Sequence, residues 1–416
     1  MRLTALDLRL ERGAGRPIAV ALSGGSDSTA LLVLAARWAR TNGRRLLALS
    51  VDHGLNPDSA RWTAEAGEIA GRLGAEWRPL SWTGPKPQTG LPAAARRARH
   101  ALLAEAAGAA GAHVILMGHT ADDVAESDLI RRDTPTHGRL ETWAPSPVWP
   151  EGRGVFLLRP LLAVRRTDLR ALLAAEGMGW LEDPANADPR FARSRARAVL
   201  ANEVGQVDVV PASVISIPRR ADGAATADAL GRVMLSRAAS VDVVAKAVLC
   251  TSGRERPPAG AAVRRLTERL ARHETFKTTL GGARVRATDG QAVIVRDVGE
   301  RSRGGLSSLP LTRSEPAVFD GRFEVEATVD GLHVAPLAGL AARLPPADAA
   351  RLKALPAEAR GALPALVAED GTVSLPAPFG SGPGRAVALA PRRLAAACGR
   401  IEVEVEAVRD ALTWTG

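Results

Sequence analysis

The order of apolar and polar residues in the first half of the chain predicts short strands that alternate with helices. Strands are expected where apolar residues run together, and helices where they recur every three or four positions. Strands separated by about one helix each imply parallel βαβ units, so we expect an α/β fold with a doubly wound, mainly parallel sheet. The expected strands are 18–22, 46–51, 77–82 and 114–117, and the expected helices are 29–40, 60–73, 92–107 and 122–132.

The pattern changes after about residue 200, and we divide the chain into three regions. Residues 1–205 form the predicted α/β domain, 206–310 a helical and then small β region, and 311–416 an α+β region without an assigned role. Glycine pairs and Asp-Gly turns flanked by alternating residues are typical of hairpins. The expected elements are a loop at 134–154, helices at 224–250 and 260–273, a small β element at 278–298, short strands at 317–336 and short helices at 337–366.

The segment that follows the first predicted strand has the features of a phosphate-binding loop. It reads Ser-Gly-Gly-Ser-Asp-Ser from Ser23 to Ser28, and the next helix begins beside it. Gly24 and Gly25 allow backbone N–H groups to point into one concavity, and the helix N-terminus favours an anion there. Ser23, Ser26 and Ser28 can donate hydroxyl hydrogen bonds to phosphate oxygens, and Asp27 can hold Mg²⁺ against the phosphates. The loop is not a Walker A motif, which requires GxxxxGK[ST].

Polar residues also follow two later strands at the edge where ligands bind in parallel sheets. Asp52 and His53 follow the second strand and are expected near the adenosine of ATP, or else to form a solvated turn. Gly118 and His119, after the strand at 114–117, are also expected to bind ATP. In the helix after that strand, Asp123 and Glu126 are three residues apart and therefore share one face. Such a pair could bind a cationic amine, although two acids at a helix start also stabilise the helix by themselves.

The net charge of +10 and the pI near 10.9 fit a polyanionic partner, although abundant arginine also reflects a biased composition. Four arginines crowd a short segment and are expected to contact nucleic-acid phosphates, or else to form a solvated helix face: Arg190, Arg193, Arg195 and Arg197. Cys250 and Cys398 are far apart, which argues against a disulfide framework or a cysteine metal site. With no apolar segment of membrane length and no predicted signal peptide, we expect a cytoplasmic protein.

The loop resembles the SGGxDS signature of the N-type ATP pyrophosphatases, and further motifs resemble one family among them. The segments SGGSDS, VDHGLN, PAAARRARH, GHTADDVAES, RPLL and WLEDPANADPRFARSRAR are similar to tRNA(Ile)-lysidine synthases and follow that family's order over residues 18–200. The resemblance implies that ATP adenylates the C2 oxygen of the wobble cytidine in the CAU anticodon of tRNA(Ile). Free lysine then displaces AMP to give lysidine. The chain departs from the family at Thr120, where a second histidine is frequent, and at Val124.

The resemblance also implies roles for individual residues. Asp27 corresponds to the catalytic, metal-associated aspartate, and Asp123 and Glu126 to the acidic pair that receives lysine. Arg96 and Arg99 correspond to a basic pair near the reacting nucleotide. Arg159, in the RPLL segment, joins the arginine-rich segment as an expected tRNA contact, and the 206–310 region is expected to contact tRNA as well.

Three other functions compete with this hypothesis. A related tRNA thiolase would rely on cysteines, yet the first 249 residues contain none. An amidotransferase-type synthetase would need a placed nucleophilic thiol. A non-catalytic tRNA- or nucleotide-binding relative is a third alternative, which the intact Asp27, Asp123 and Glu126 argue against. The oligomeric state stays open, with a homodimer as one option.

Overall fold

The structure, a computed structural model, describes residues 1, 3–133, 140–182, 192–202 and 223–412. The chain divides into two compact units. Unit 1 comprises Met1–Ile217 and Ile401–Gly416, and unit 2 comprises Pro218–Arg400.

Helices and strands alternate through unit 1, as the hydrophobic pattern predicts. The elements are α1 (Thr4–Arg9), β1 (Ile18–Ala21), α2 (Ser26–Thr41), β2 (Leu46–Asp52), α3 (Ser59–Arg72), β3 (Glu76–Ser81), α4 (Leu91–Ala109), β4 (Val114–Leu116), α5 (Ala121–Asp133), β5 (Trp143–Pro145), β6 (Phe156–Leu158), α6 (Arg166–Ala175) and α7 (Ala192–Asn202).

The sheet of unit 1 places β1 at its centre, in the order β3-β2-β1-β4-β6-β5. Every pair is parallel except β5–β6, which is antiparallel. The chain moves outward from β1 through β2 and β3 on one side, and β4 and β6 lie on the other. The order therefore reverses between β1 and β4, and such a switch point opens a crevice at the carboxyl ends of the strands. The predicted doubly wound sheet is confirmed.

The central strands are apolar on both faces because helices cover both sides of the sheet. Ile18, Ala19 and Val20 are at most 1% exposed, and Val20 pairs with Ala48 on one side and Leu116 on the other. This buried centre fixes the position of the loop after β1 relative to the loop after β4.

One segment of unit 1 differs from the prediction. Within the expected loop at 134–154, Trp143–Pro145 forms the edge strand β5, while residues 134–139 lie outside the described residues. Trp143 is 5% exposed, stacks on Phe156 with ring centroids 5.0 Å apart, and donates its indole N–H to the carbonyl of Ile401 at 2.8 Å. A three-residue strand is too short to show an alternating pattern, and its aromatic contact is non-local.

Unit 2 contains a five-stranded sheet, a four-stranded sheet and a three-stranded sheet, in the orders β7-β8-β11-β10-β9, β12-β15-β16-β17 and β13-β14-β18. Short 3₁₀ helices cover Val298–Arg303 and Ala341–Arg343. The elements are β7 (Ala225–Ala227), β8 (Val233–Leu235), α8 (Val241–Ser252), α9 (Gly260–Ala271), β9 (Phe276–Leu280), β10 (Ala283–Ala287), β11 (Ala292–Arg296), β12 (Leu309–Pro310), β13 (Ala317–Phe319), β14 (Phe323–Ala327), β15 (Leu332–Pro336), α10 (Pro346–Ala354), α11 (Ala357–Arg360), β16 (Pro364–Ala368), β17 (Val373–Ser374), β18 (Gly384–Ala388) and α12 (Ala390–Ala397).

Two of the predicted elements in unit 2 are wrong in part. The helix expected over 224–250 begins only at Val241, where the Ser240 hydroxyl caps it by accepting the N–H of Val243, and β7 and β8 precede it. The expected short helices at 337–366 end in the strand β16. The helix expected at 260–273, the hairpins at 278–298 and the strands at 317–336 are confirmed.

The segment from Ile401 onward belongs to unit 1, and it includes the last helix, α13 (Glu404–Leu412). The Glu404 side chain is fully buried, and its Oε1 lies 2.8 Å from Arg44 Nη2 and 2.9 Å from Arg16 Nε. Its Oε2 accepts the backbone N–H of Glu11 at 2.9 Å. The residues from Pro218 to Arg400 form one compact unit, and the expected division into 1–205, 206–310 and 311–416 stays a prediction.

Candidate active site

The loop between β1 and α2 contains a left-handed glycine and ends at the N-terminus of a helix. Gly24 has a φ of +81°, and a Cβ added there would lie 2.4 Å from Leu181 Cδ1, so both the backbone and the packing demand glycine. Gly25 stands immediately before the first residue of α2 in an extended conformation. The Ser28 hydroxyl accepts the N–H of Ser23 at 3.2 Å and donates to the carbonyl of Gly25 at 3.1 Å, which holds the loop closed.

Asp27 lies in the first turn of α2, directly above the loop. Its side chain is 19% exposed, its Oδ1 accepts the Ser26 hydroxyl at 3.1 Å, and its Oδ2 accepts Nε of Arg166 at 2.9 Å. The start of α2 packs tightly on the end of β4, because a Cβ added to Gly118 would lie 3.1 Å from the carbonyl of Asp27. This close approach brings the loops after β1 and β4 together at the switch point.

The predicted acidic pair lies at the start of α5, beside that loop. Asp123 is 7% exposed and Glu126 is 1% exposed. Thr120 donates both its backbone N–H and its hydroxyl to Asp123 Oδ2, at 2.8 and 3.0 Å, and so holds this carboxylate in place. Oε2 of Glu126 is buried and accepts no hydrogen bond from the described residues. We call Asp27, Asp123 and Glu126 the carboxylate cluster.

Arg166 joins the members of the carboxylate cluster. Its Nε lies 2.9 Å from Asp27 Oδ2, its Nη2 3.6 Å from Asp123 Oδ2, and its Nη1 3.6 Å from Glu126 Oε1. Burial by itself would lower the pKa of Arg166, but the hydrogen bond and charge of Asp27, with the charges of the other two carboxylates, raise it above its ordinary value. The guanidinium is thus a permanent cation in the site.

A second group of side chains surrounds His100 on α4, and we call it the basic cluster: Arg96, Arg99, His100, His119 and Arg159. His100 is 2% exposed, and burial together with the charges of the three arginines and His119 lowers its pKa to about 2. Arg159 is buried as well, donates to the carbonyl of Glu141 at 2.8 Å, and has its pKa lowered to about 10 by burial and by Arg96. The predicted basic pair of α4 and His119 therefore all act electrostatically on His100.

Asp52 and His53 lie at the end of β2, on the same side of the sheet. Asp52 Oδ1 accepts the N–H of Gly54 at 2.7 Å, which shapes the turn. The His53 ring packs edge-on against Trp82, and burial and the charge of Arg99 lower its pKa. Burial and the nearby Arg99 therefore both favour the neutral form of His53.

The comparisons with known proteins agree with this geometry. A protein-family model described as a PP-loop domain matches residues 5–204, which include both clusters. A tRNA(Ile)-lysidine synthase from Caulobacter vibrioides is 48% identical over 367 residues, covering 88% of this chain and 88% of that protein. The chain belongs to the tRNA(Ile)-lysidine synthase family.

Other relatives with the same name extend the match beyond the PP-loop domain. The synthase from Hyphomonas neptunium is 37% identical and covers 74% of this chain and 89% of that protein. The synthase from Rhizobium meliloti is 34% identical, and the match covers 77% of this chain and 75% of that protein. The predicted family and its class, the ATP-using PP-loop ligases, are therefore confirmed.

Two solved structures resemble about half of the chain at low identity. The U34-tRNA thiolase NcsA from Methanococcus maripaludis covers 48% of this chain and 71% of that chain, with 16% identity and a TM-score of 0.39. An NMN synthetase from Francisella tularensis has a TM-score of 0.31 with 14% identity, and the match covers 46% of this chain and 80% of that chain. Scores this low support no inference about the function of this synthase-family chain.

The arginines predicted to contact tRNA differ in their exposure and in their partners. Arg190 and the side chain of Arg193 lie outside the described residues. Arg195 is exposed on α7, whereas Arg197 donates its Nε to Glu126 Oε1 at 2.9 Å. Arg159 is 6% exposed, so it is poorly placed to meet an RNA phosphate at the surface. These tRNA-binding roles stay predictions, and Arg197 has a partner inside the site.

Sequence reasoning missed Arg166. It is the first residue of α6 and follows Arg159 of the RPLL segment by seven positions. The sequence indicated its place only indirectly: a strand predicted at 156–158 would have put the start of the following helix, and so Arg166, at the same edge of the sheet.

In the described part of the chain, no helix is both long and apolar enough to cross a membrane.

The two cysteines lie in the core of unit 2, where Cys250 is 1% exposed and Cys398 is 4% exposed. Burial raises the pKa of the Cys250 thiol to about 12, so this thiol is protonated at neutral pH. Thiolase or glutaminase chemistry needs a reactive thiolate, and neither thiol fits that role.

Proposed function

We propose that the chain joins the side-chain amine of lysine to the wobble cytidine of the CAU anticodon of tRNA(Ile). ATP first adenylates the C2 oxygen of that cytidine, and lysine then displaces AMP. One observation carries the proposal beyond family membership: the carboxylate cluster lies directly beside the phosphate loop, so an amine and an activated base would meet at the same switch point.

The phosphate loop and Asp27 would act in the first step. The N-terminus of α2 and the backbone N–H groups around Gly24 and Gly25 favour the pyrophosphate. Mg²⁺ is often held by one or two carboxylates, the phosphates and water, so a carboxylate in the first turn of α2, beside the loop, suits that ion. Asp27 would supply that carboxylate, and the bound ion would neutralise charge on the leaving pyrophosphate.

Arg96 and Arg99 would assist the same step from the basic cluster. A positive group near the adenylated base stabilises charge that develops on phosphate. The neutral imidazole of His100 lies among these arginines without adding another positive charge.

The acidic pair would act in the second step. The lysine ammonium is attracted by Asp123 and Glu126, and Oε2 of Glu126 offers a buried acceptor. Before attack the ammonium loses one proton, which a carboxylate accepts. The neutral nitrogen then bonds to C2 of the cytidine, the C2–O bond breaks, and AMP leaves with the bonding electrons.

The proposal is tested by incubating the full chain with ATP, Mg²⁺, radiolabelled lysine and a tRNA(Ile) transcript carrying CAU. Nucleoside digestion should release one labelled nucleoside, together with AMP and pyrophosphate. A transcript with uridine at the wobble position is the matched control and should remain unlabelled. Equal labelling of both transcripts, or pyrophosphate release without label transfer, would contradict the proposal.

A cytoplasmic location and a homodimer remain predictions. The cytoplasm is expected because ATP and tRNA are both present there.

A further inference from the structure

The three carboxylates of the site share one guanidinium. The three nitrogen atoms of Arg166 each face a different member of the carboxylate cluster, at 2.9, 3.6 and 3.6 Å. Arg197 adds a second guanidinium at Glu126 Oε1. The two guanidinium groups therefore face carboxylate oxygens that an incoming cation could use.

Arg166 lies where both proposed cations would bind. Mg²⁺ would need Asp27, whose Oδ2 now accepts Nε of Arg166, and the lysine ammonium would need Asp123 and Glu126, which face the other two nitrogen atoms. A cation that binds Asp27 Oδ2, Asp123 Oδ2 or Glu126 Oε1 would therefore displace the same side chain. Whichever binds first bears the cost of displacing it, and the second binds without that cost.

The local structure permits the Arg166 side chain to move while its helix stays in place. The backbone N–H of Arg166 donates to Asp122 Oδ2 at 2.8 Å, which ties the start of α6 to the start of α5. The side chain is 19% exposed, so it has a path toward solvent or toward a bound phosphate. Rotation about its own bonds is enough to release the carboxylates.

We propose that Arg166 is a positioning residue that couples lysine binding to binding of the magnesium nucleotide, by acting as a shared counter-ion that both ligands displace. The inference rests on the proposed function, because it takes lysine and Mg²⁺ as the two cations. Coupling free energies of this kind are commonly about 1–3 kcal/mol, a factor of roughly 5–150 in affinity, and are reciprocal.

The test measures lysine affinity by calorimetry with the full chain, with and without Mg²⁺ and α,β-methylene-ATP, which cannot be cleaved between those phosphates. Wild type should bind lysine about 5- to 150-fold more tightly when the nucleotide is present. In Arg166→Met this ratio should fall several-fold, and lysine binding without nucleotide should become tighter because its competitor is gone. A purely structural ion pair would not tighten lysine binding when removed.

Two variants serve as matched controls. Arg170→Met changes the next arginine of α6, which is 48% exposed and pairs with Glu182, and should keep the wild-type ratio. Arg197→Met removes a guanidinium that touches Glu126, not Asp27, and should change lysine affinity while keeping the ratio. If Arg166→Met does not fold, Arg166→Lys, whose single ammonium reaches fewer carboxylates, should give a ratio below that of wild type.

An unchanged ratio in the folded Arg166 variant overturns the inference. A wild-type ratio of one, with lysine bound, also overturns it and leaves the proposed function intact. A wild-type chain that binds lysine under neither condition, and forms no lysidine, overturns both.

Discussion

The carboxylate cluster and the basic cluster lie at the same edge of one sheet, yet they balance charge in opposite ways. In the carboxylate cluster every member lies within 3.6 Å of a guanidinium. In the basic cluster three arginines surround a buried histidine, whose pKa is lowered to about 2. The carboxylates of the first cluster are paired with guanidinium groups. In the second cluster, the positive charge of the arginines is not increased further, because His100 stays neutral.

This difference indicates which ligands each cluster accepts. A site whose carboxylates already hold cations exchanges one cation for another, as binding of an ammonium or Mg²⁺ requires. A site with an excess of positive charge attracts an anion, such as the phosphates of a nucleotide or RNA. In the proposed ligation, adenylation would therefore draw on both clusters, through Asp27 and through the arginines of α4, whereas lysine transfer would use the acidic pair of the carboxylate cluster.

The largest effect is expected from Asp27→Asn in the carboxylate cluster. Loss of the metal-holding charge should remove several kcal/mol of transition-state stabilisation, so tRNA-dependent AMP formation should fall by about 10³-fold or more. Asp128→Asn is the control, because that residue is 58% exposed on α5 and pairs only locally with Arg131. Wild-type AMP formation by a folded Asp27→Asn protein would show that the loop works without this carboxylate.

Glu126→Gln should separate the two half-reactions. The change keeps the size of the side chain but removes the charge that faces the amine, and charge-assisted hydrogen bonds are worth about 1.5–3 kcal/mol. The lysine concentration for half-maximal lysidine formation should rise about 10- to 100-fold, while adenylation of the tRNA persists. If the lysine requirement stays at the wild-type level, the amine binds elsewhere.

A smaller effect should come from the basic cluster, through stability. His100 is neutral in the folded protein down to about pH 2, whereas it titrates at 6.5 when exposed. Its contribution to the free energy of unfolding is therefore complete above pH 6.5 and is lost as the pH falls. The loss is about 2 kcal/mol at pH 5. In His100→Gln this part of the acid destabilisation should disappear, as measured by urea unfolding at pH 7 and pH 5.

The exposed His273 on unit 2 provides the matched control for that measurement. His273→Gln should show the wild-type loss of stability between the two pH values. An equal loss in the His100 and His273 variants would mean that His100 is protonated in the folded state.

The smallest effect concerns tRNA binding by the two described arginines of α7. Arg195→Gln should reduce the slope of log affinity against log salt by roughly 0.7–0.9, the value for one lost phosphate contact. Arg197→Gln should leave that slope unchanged, because its guanidinium is held by Glu126. If the slope fell in Arg197→Gln and not in Arg195→Gln, Arg197 would be the residue that contacts tRNA, and its ion pair with Glu126 would have to break on binding.

The site was predictable from sequence where its geometry is local. A glycine loop between a strand and a helix determines its own conformation, so the loop at Ser23–Ser28 and the first turn of α5 followed from short segments. The guanidinium of Arg166 was not predictable, because it lies 139 positions from Asp27 and only the sheet order brings them together. The short strands β5, β7 and β8 were missed for a similar reason, since three residues carry no period and gain their stability from distant partners.

The ion pair between Glu404 and Arg44 spans 360 positions of the chain, and this has a consequence during protein synthesis. At roughly 5–20 residues per second, Arg44 waits about 20–70 s on the ribosome before its carboxylate is made. All the residues of both clusters are synthesised long before that moment, yet the unit that carries them is completed only by the segment after Arg400. A message that stops before Glu404 would yield a chain with every active-site residue but without the carboxylate partner of Arg44, and removing one partner of a buried ion pair costs about 3–5 kcal/mol. Such a chain would be degraded as a misfolded protein.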